Sequence, residues 1–451
     1  MMPAMAHDVV IAGGGFAGAN AARELERILP KQSTRLILVN DVNFLLYTPL
    51  LPEAAAGTLE PRHVVTPLRD ILKRTNLRLG AITSHDPARH TVTLTSHDGT
   101  REELHYDQLL IALGSVSRSL PIPGLDKHAI GFKSLADAIW IRNHMVETFE
   151  AANASEDPAR RAELLTYVFV GGGYAGLEAL AELQDFAADA MDRYPRARLT
   201  GMRWMLVEAA DRVLPEIDPK LADYAVHELR SRGMDIRLGT TLDEVSEDAV
   251  KLSTGERIPT RTVVWTAGVA PHPSLKELSL DLDERGRVPV DEYMAVVGLD
   301  DVYAAGDCAS VPDPDGGVCP PTAQHAIRQA RVAARNMAAA LGTGERRTFR
   351  YRSRGAFVNL GQYKAVASLG AKGRATLSGF PAWWAARSYH VSQIPGLARK
   401  IRTVADWTIG LPFARDTAEV GSIGHPAPLS DSVYECGGSH RPIGTHDLPA
   451  E

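Results

Sequence analysis

Two glycine-rich turns constrain this chain more than any other feature. The first follows the apolar run Asp8-Val-Val-Ile-Ala, reads Gly13-x-Gly15-x-x-Gly18 with Phe16 and Ala17 between, and opens into a helical stretch from Ala19 to Leu29. The second follows Tyr167-Val-Phe-Val, places glycines at 171, 173 and 176 with Tyr174 and Ala175 between, and opens into a helix from Leu177. Strand, tight turn and helix in that order form a dinucleotide-binding unit. Gly13 and Gly171 make the turn, Gly15 and Gly173 let the backbone approach a pyrophosphate, and Gly18 and Gly176 pack helix on strand. The phosphates then sit at the positive end of the helix. One such motif is weak evidence. Two, about 160 residues apart in matching contexts, predict two dinucleotide sites in an α/β chain.

The residue ending the second strand of each unit separates the two sites. Trp204 to Val207 runs into Glu208, which would accept from the free ribose of NAD and repel the 2′-phosphate of NADP. Arg35 to Asn40 ends in an amide followed by Asp41; Asn40 can bond a ribose but excludes nothing by charge, which suits FAD. Arg212 could pair a 2′-phosphate or be a surface residue. A further buried run, Asp301-Val-Tyr-Ala-Ala, ends at Gly306-Asp307, where an aspartate is expected to receive the ribityl hydroxyls of FAD. It follows the second unit, so the FAD domain is predicted to be discontinuous. Leu109 to Gly114 and Val263 to Gly268 are apolar strands ending in glycine, read either as returns to a nucleotide site or as plain core. The expected layout is an FAD-binding domain over 1–160 and 286–345, an NAD-binding domain over 161–285, a C-terminal domain over 346–415, and a disordered tail over 416–451.

The chain's 451 residues allow two or three domains, and 45% hydrophobic with 23% charged residues excludes a mostly disordered or coiled-coil chain. Cys308, Cys319 and Cys436 form no Cys-x-x-Cys pair, so a disulfide framework, a zinc knuckle and a dithiol centre lack their ligands, and a reducing, cytosolic compartment fits. Fifteen histidines show no metal-ligand spacing, and no metal is expected. No Lys or Arg precedes Arg23 and no apolar run approaches the roughly 20 residues of a membrane span, so neither a signal peptide nor a transmembrane helix is expected. Residues 345–405 carry twelve Lys or Arg against Glu345 alone, a surplus of +11 that leaves −17 on the rest of a chain whose total is −6. Such a basic segment points to an anionic partner, nucleic acid or lipid head groups, or to a solvated face.

Several further segments carry a resemblance. Asn43-Phe-Leu-Leu-Tyr-Thr48-Pro-Leu-Leu51 with Ala56-Gly-Thr-Leu59, Gly171 to Glu178, Trp265-Thr-Ala-Gly268-Val269, Ala323-Gln-His-Ala-Ile-Arg-Gln329 and Gly355 to Gly361 are similar to motifs of the type II NADH:quinone oxidoreductases, a family of two-dinucleotide flavoproteins. The resemblance runs from about residue 7 to about 410. It implies two Rossmann-like domains, the NAD domain inserted in the FAD domain, and a C-terminal membrane-associating region. It also implies hydride transfer from NADH to FAD, then two-electron reduction of menaquinone or ubiquinone without proton pumping. It puts Thr48 in the loop at the flavin ring and Glu178 on the flavin side of the nicotinamide, where a buried carboxyl could relay a proton; Glu178 could equally be a dipole-stabilised helix acid. It puts Ala323 and Gln324 at the acceptor pocket, unless Gln324 merely caps or decorates its helix. Two departures stand out. Arg328 replaces the family's last Gln and either blocks or lines the quinone pocket, and Asn40 replaces the usual acid. Cys308 suggests sulfide chemistry only if a second cysteine can bridge to it.

Beyond Pro381, Leu397, Ile401, Val404, Thr408 and Leu411 form one apolar helical stripe, with Arg399, Lys400 and Arg402 off it and Trp383, Trp384 and Trp407 nearby. This predicts a peripheral anchor on the cytoplasmic face of an anionic membrane, with NADH and quinone as small-molecule partners and no nucleic acid. A helical pair packed on the FAD domain or a homodimer contact is the competing reading. Other functions weighed are a soluble diaphorase or ferredoxin reductase, and a redox-switched binding flavoprotein similar to the apoptosis-inducing-factor family.

Overall fold

Apolar runs without an alternating polar face demand burial on both sides, and they become the inner strands of two parallel sheets. A computed structural model describes residues 7–353, 355–370 and 375–418; Cys436 and most of the expected tail lie outside the described residues. The first sheet has the order Val302–Ala304, Gln108–Ile111, His7–Ala12, Thr34–Asn40, Asn76–Leu79, all parallel. Ile11 stands between Leu38 and Leu110 on neighbouring strands, and all three are fully buried. Its edge strand Val302–Ala304 comes from beyond the second glycine unit, so the chain leaves this sheet and returns to it.

The second sheet repeats the plan with Ile130–Gly131, Thr262–Trp265, Thr166–Val170, Arg203–Val207 and Asp235–Arg237. Ile130–Gly131 lies well before the glycine motif, so this sheet starts earlier in the chain than residue 161. In both sheets the motif follows the middle strand, but only in the second does another strand of the sheet precede it in the chain. Helix Leu135–Ala154, capped by a reciprocal Ser134–Asp137 box, covers the sheet through Phe149 against Tyr167 and Phe186. Each unit adds a three-stranded antiparallel sheet, Ala81–Asp86 to His105 in the first and Leu242–Val245 to Pro259 in the second.

Gly355–Asn359, Ala365–Leu369 and Ala375–Gly379 form an antiparallel sheet on which helix Phe380–Gln393 packs through Ala382. Helix Leu397–Ile409 follows, and its Trp407 joins Tyr47, Leu50, Ala54 and Leu59 in one apolar cluster. The C-terminal region thereby lies against the loop that follows the first nucleotide unit.

Helix Phe16–Ile28 meets its strand only because Gly18 has no side chain: a Cβ there would strike the carbonyl oxygen of Gly13, itself at φ +106°. Gly18→Val should destabilise the protein by at least about 1–3 kcal/mol, the cost of forcing atoms into a packed core. A urea midpoint no lower than that of the parent would contradict this packing.

Candidate active site

The two glycine turns are built alike. Helices Phe16–Ile28 and Tyr174–Ala190 begin at Gly15 and Gly173, neither of which supplies a side-chain cap. Ser134, Asp218 and Thr322 do cap the helices that follow them. A Cβ at Gly15 or Gly173 would meet nothing within 4 Å. Each helix therefore presents unsatisfied N–H groups and its positive end to open space, an arrangement that fits a dinucleotide pyrophosphate. Behind each turn the second-strand residue holds the loop. The Gly14 N–H donates to Asn40 Oδ1 at 2.6 Å, and the Gly172 N–H donates to Glu208 Oε2. Glu208 Oε1 also accepts from the Ala210 N–H at 2.7 Å. Asp41 is exposed beside Asn40. Arg212 donates to the carbonyls of Leu214, Pro215 and Ile217, so it staples its own loop rather than reaching for a phosphate.

At the first unit Gly306 stands over Ala17, a Cβ there lying 3.2 Å from that of Ala17, and its N–H donates to the buried Gln329 at 2.9 Å. Asp307 Oδ2 accepts from Ser115 Oγ at 2.7 Å, and Lys133 Nζ lies 3.0 Å from that hydroxyl and 3.6 Å from the carboxylate. Gly114, at φ +71°, immediately precedes Ser115. Lys133 was not legible in the sequence, since only the tertiary fold brings it across to Asp307. Phe16 packs edge-on against Tyr47, whose hydroxyl lies 3.2 Å from His390 Nδ1.

A cavity of about 830 Å³ opens between the two units. Thr48, Tyr174, Ala175, Glu178, Gly268, Ala323 and Gln324 all line it, together with Lys133, Phe357 and His390. The remaining predicted residues, those of the glycine turns and Asn40, Asp41, Gly114, Glu208, Gly306 and Asp307, lie outside its lining. Glu178 accepts from the Asn359 N–H at 2.9 Å. Burial pushes its carboxyl up to about 8, and Glu53 and Glu182 push the same way. Burial alone lowers His390 to about 4, which leaves a neutral imidazole at the cavity wall. Gln324 does not cap its helix; Thr322 does. Its amide donates to the Gly355 carbonyl at 3.1 Å and accepts from Tyr351 Oη at 2.7 Å.

The family model for pyridine nucleotide-disulphide oxidoreductases matches residues 7–335. The chain is 31% identical over 422 residues to the type II NADH:quinone oxidoreductase Ndh of Mycobacterium tuberculosis, covering 90% of this chain and 88% of that one. It belongs to the type II NADH:quinone oxidoreductase family. A probable NADH dehydrogenase of Dictyostelium discoideum is 30% identical over 90% of both chains. The structure of NDH2 from Plasmodium falciparum in complex with NADH shares the fold, with a TM-score of 0.85 over 91% of this chain and 99% of that one at 17% identity.

Against the family's pattern, Arg328 neither lines nor blocks the cavity. Its guanidinium stacks 4.2 Å from the Tyr351 ring and its Nη1 donates to the Gln324 carbonyl, bracing Gln324 from behind. Trp407 is not part of an outward stripe either. It is buried, its indole N–H donates to Glu53, and Arg387 stacks on it at 4.5 Å. Helical spacing marked the apolar face but could not reveal an inward polar partner. Cys308 is buried, donates weakly to the carbonyls of Ala305 and Ile111, and is pushed up to about 11, the state of an inert thiol. Among the described residues Asp313, Cys319 and His325 come within 4.8 Å of one another, a set that spacing did not reveal; the His325 ring is bonded to Thr322 at 2.7 Å.

A native carboxyl that titrates near 8 instead of 4.5 holds a proton that the unfolded chain has released, so Glu178 costs no stability below pH 4.5 and a growing amount as pH rises toward 8. Glu178→Gln keeps the acceptor for Asn359 and removes that cost. Its melting temperature should match the parent at low pH and exceed it increasingly toward pH 8; a constant difference across pH would contradict the burial argument.

Proposed function

We propose that this chain oxidises NADH and reduces a quinone in two-electron steps, with FAD held by the first unit and NADH by the second. The supporting observation is one shared cavity, whose walls combine Tyr174, Glu178 and Gly268 from the second unit with Thr48, Ala323 and Gln324 on the other side. FAD, when bound, supplies the ring that takes hydride from NADH and passes two electrons to quinone. Gly13, Gly15 and Gly18 would hold its pyrophosphate and Asp307 its ribityl chain, with Ser115 and Lys133 orienting that carboxylate. Gly171, Gly173 and Gly176 would hold NADH, and Glu208 its ribose. Gln324, fixed by Tyr351 and Gly355, marks the acceptor end, and Glu178 holds a proton on the wall of the same cavity. The reading includes no proton pumping, and no helix among the described residues is long and apolar enough to cross a membrane.

Steady-state NADH oxidation with a short-chain quinone, ferredoxin and oxygen tests the assignment; fast turnover with ferredoxin alone would overturn it. NADH should be preferred over NADPH by at least roughly tenfold in kcat/KM, because Glu208 accepts from a ribose hydroxyl and repels a phosphate. Glu208→Gln should narrow that gap mainly by weakening NADH. Equal efficiencies in the parent would overturn the assignment of the second site.

The reading extends to a peripheral membrane site on the cytoplasmic face, where a lipid-dissolved quinone is reachable. Trp384, Leu397, Ile401 and Leu411 are each at least 60% exposed, and Phe380 and Phe413 extend the apolar surface, with the basic Arg402 exposed beside it. Apolar insertion and head-group attraction would act together. Replacing Leu397, Ile401 and Val404 by Ser should reduce flotation with anionic vesicles several-fold and slow a long-chain quinone more than ferricyanide. Unchanged flotation would make this face a packing or dimer surface.

A further inference from the structure

Between Asp307 and helix Ala323–Ala340 the chain makes a short hairpin that the nucleotide chemistry does not use. Pro312 and Val318 pair across it, and Gly316 and Gly317, at φ +104° and +79°, make its turn. The Cys319 N–H donates to the Val311 carbonyl at 2.9 Å and fixes the returning arm, and Pro320 and Pro321 carry the chain stiffly into the helix cap Thr322. Asp313 on one arm, Cys319 on the other and His325 in the first turn of the helix therefore converge. A carboxylate oxygen, the sulfur and a ring nitrogen all lie within 4.8 Å of one another. The three stand six positions apart in the chain, a spacing that matches no common ligand motif.

Each group keeps an atom to offer. Asp313 Oδ1 accepts from the Asp315 N–H at 2.9 Å, which leaves Oδ2. Among the described residues Asp313 has no ion-pair partner, while Arg352 pairs with Asp315 at 2.6 Å. Thr322 Oγ1 lies 2.7 Å from His325 Nδ1; it engages one ring nitrogen, leaves the other as a ligand, and orients the ring as outer-shell partners do. Cys319 Sγ makes a weak contact with the Pro312 carbonyl at 3.7 Å. Cys319 and His325 are buried, Asp313 is half-buried, and Thr322 and His325 line the cavity, so a cation and a water can reach the set from there. Thiolate, imidazole and carboxylate with one open position suit zinc, whereas calcium and magnesium take oxygen alone. Zinc holds sulfur at about 2.3 Å and nitrogen or oxygen at about 2.0–2.2 Å, so its tetrahedral ligands stand roughly 3.3–3.8 Å apart, and a side-chain movement of about 1 Å closes the set.

We propose that Asp313, Cys319 and His325 form a zinc-binding site, completed by water, whose filling is felt at Gln324. On binding, the Cys319 S–H bond breaks, a zinc–sulfur bond forms and the proton leaves to water, with no change of oxidation state. The coupling runs through contacts already in place. The His325 ring meets Tyr351 edge-on at 5.0 Å, and Tyr351 Oη donates to Gln324 Oε1 at 2.7 Å. A His325 ring drawn toward zinc shifts that edge contact and, through Tyr351, the amide of Gln324. Zinc thus slows electron transfer to the acceptor from outside both nucleotide sites. The coupling rests on the quinone-reducing reading above; the metal site does not.

Zinc added to the FAD-loaded protein tests both parts. X-ray absorption at the zinc edge should show one sulfur among four ligands, the rest nitrogen or oxygen, and excess magnesium should not displace the metal. Cys319→Ser should remove that sulfur and weaken zinc by more than about a hundredfold in chelator competition, beyond what loss of an outer-shell partner costs. Asp313→Ala should weaken it by at least about tenfold and serves if Cys319→Ser does not fold. Without zinc, Cys319→Ser should reduce quinone at the parent's rate; with zinc, the parent should slow several-fold and the variant should not. No zinc uptake at micromolar concentration, a sulfur ligand that persists in Cys319→Ser, or equal affinity in parent and variants would overturn the site. Zinc bound as expected with an unchanged quinone rate would keep the site and overturn its coupling. Zinc bound as expected in a protein that reduces no quinone would support the site and sink the functional reading instead.

Discussion

Close approach of a helix to its strand, allowed only where a side chain is missing, is the constraint on which this molecule depends. Gly18 lies against the Gly13 carbonyl and Gly176 against the Gly171 carbonyl. With no Cβ in the way, each helix starts hard against the end of a central strand and points its uncapped N–H groups outward. A side-chain cap at either end would fill the space a phosphate needs. The second-strand residue then completes the turn from behind, an amide at Asn40 and a carboxylate at Glu208, so the same loop geometry carries two different charges.

The two units meet across a cavity whose polarity is graded. Toward the first unit Lys133 lines it and ties to Ser115 and Asp307 outside the lining, a hydrogen-bonded set with one cation for one anion. Toward the C-terminal region lie the acids Glu53, Glu178 and Glu182 around Asn359. Glu178 lies where the cavity and the acid cluster join, and burial there pushes its carboxyl up to about 8. The C-terminal helices seal the cluster from outside through Trp407 and Arg387, and that inward use of polar and aromatic groups leaves Leu397, Ile401 and Leu411 as the outward face.

Much of this was legible from residue order alone. Local rules govern strand, glycine turn and helix, so both nucleotide units, the acid at Glu208 and the return of the chain at Gly306-Asp307 could be read from short segments. Glu178 and Gln324 were likewise marked by the motifs around them. Contacts between distant segments could not be read that way: Lys133 reaches Asp307 across 174 positions of chain, Arg328 turns onto Tyr351, and Trp407 turns inward to Glu53. Periodicity states which residues share a helix face but not which neighbour that face meets.

The sequence by itself determined the two parallel-sheet units, their glycine turns and the charge at the end of each second strand, because these follow from backbone sterics and from interactions within a few tens of residues. Tertiary structure alone decided the protonation of the site. Glu53, Glu178, Glu182 and Asn359 come from three separate segments, and the field each acid feels depends on which cations arrive beside it and how much water is excluded. Burial and charge balance are properties of the assembled fold, and no stretch of sequence contains them.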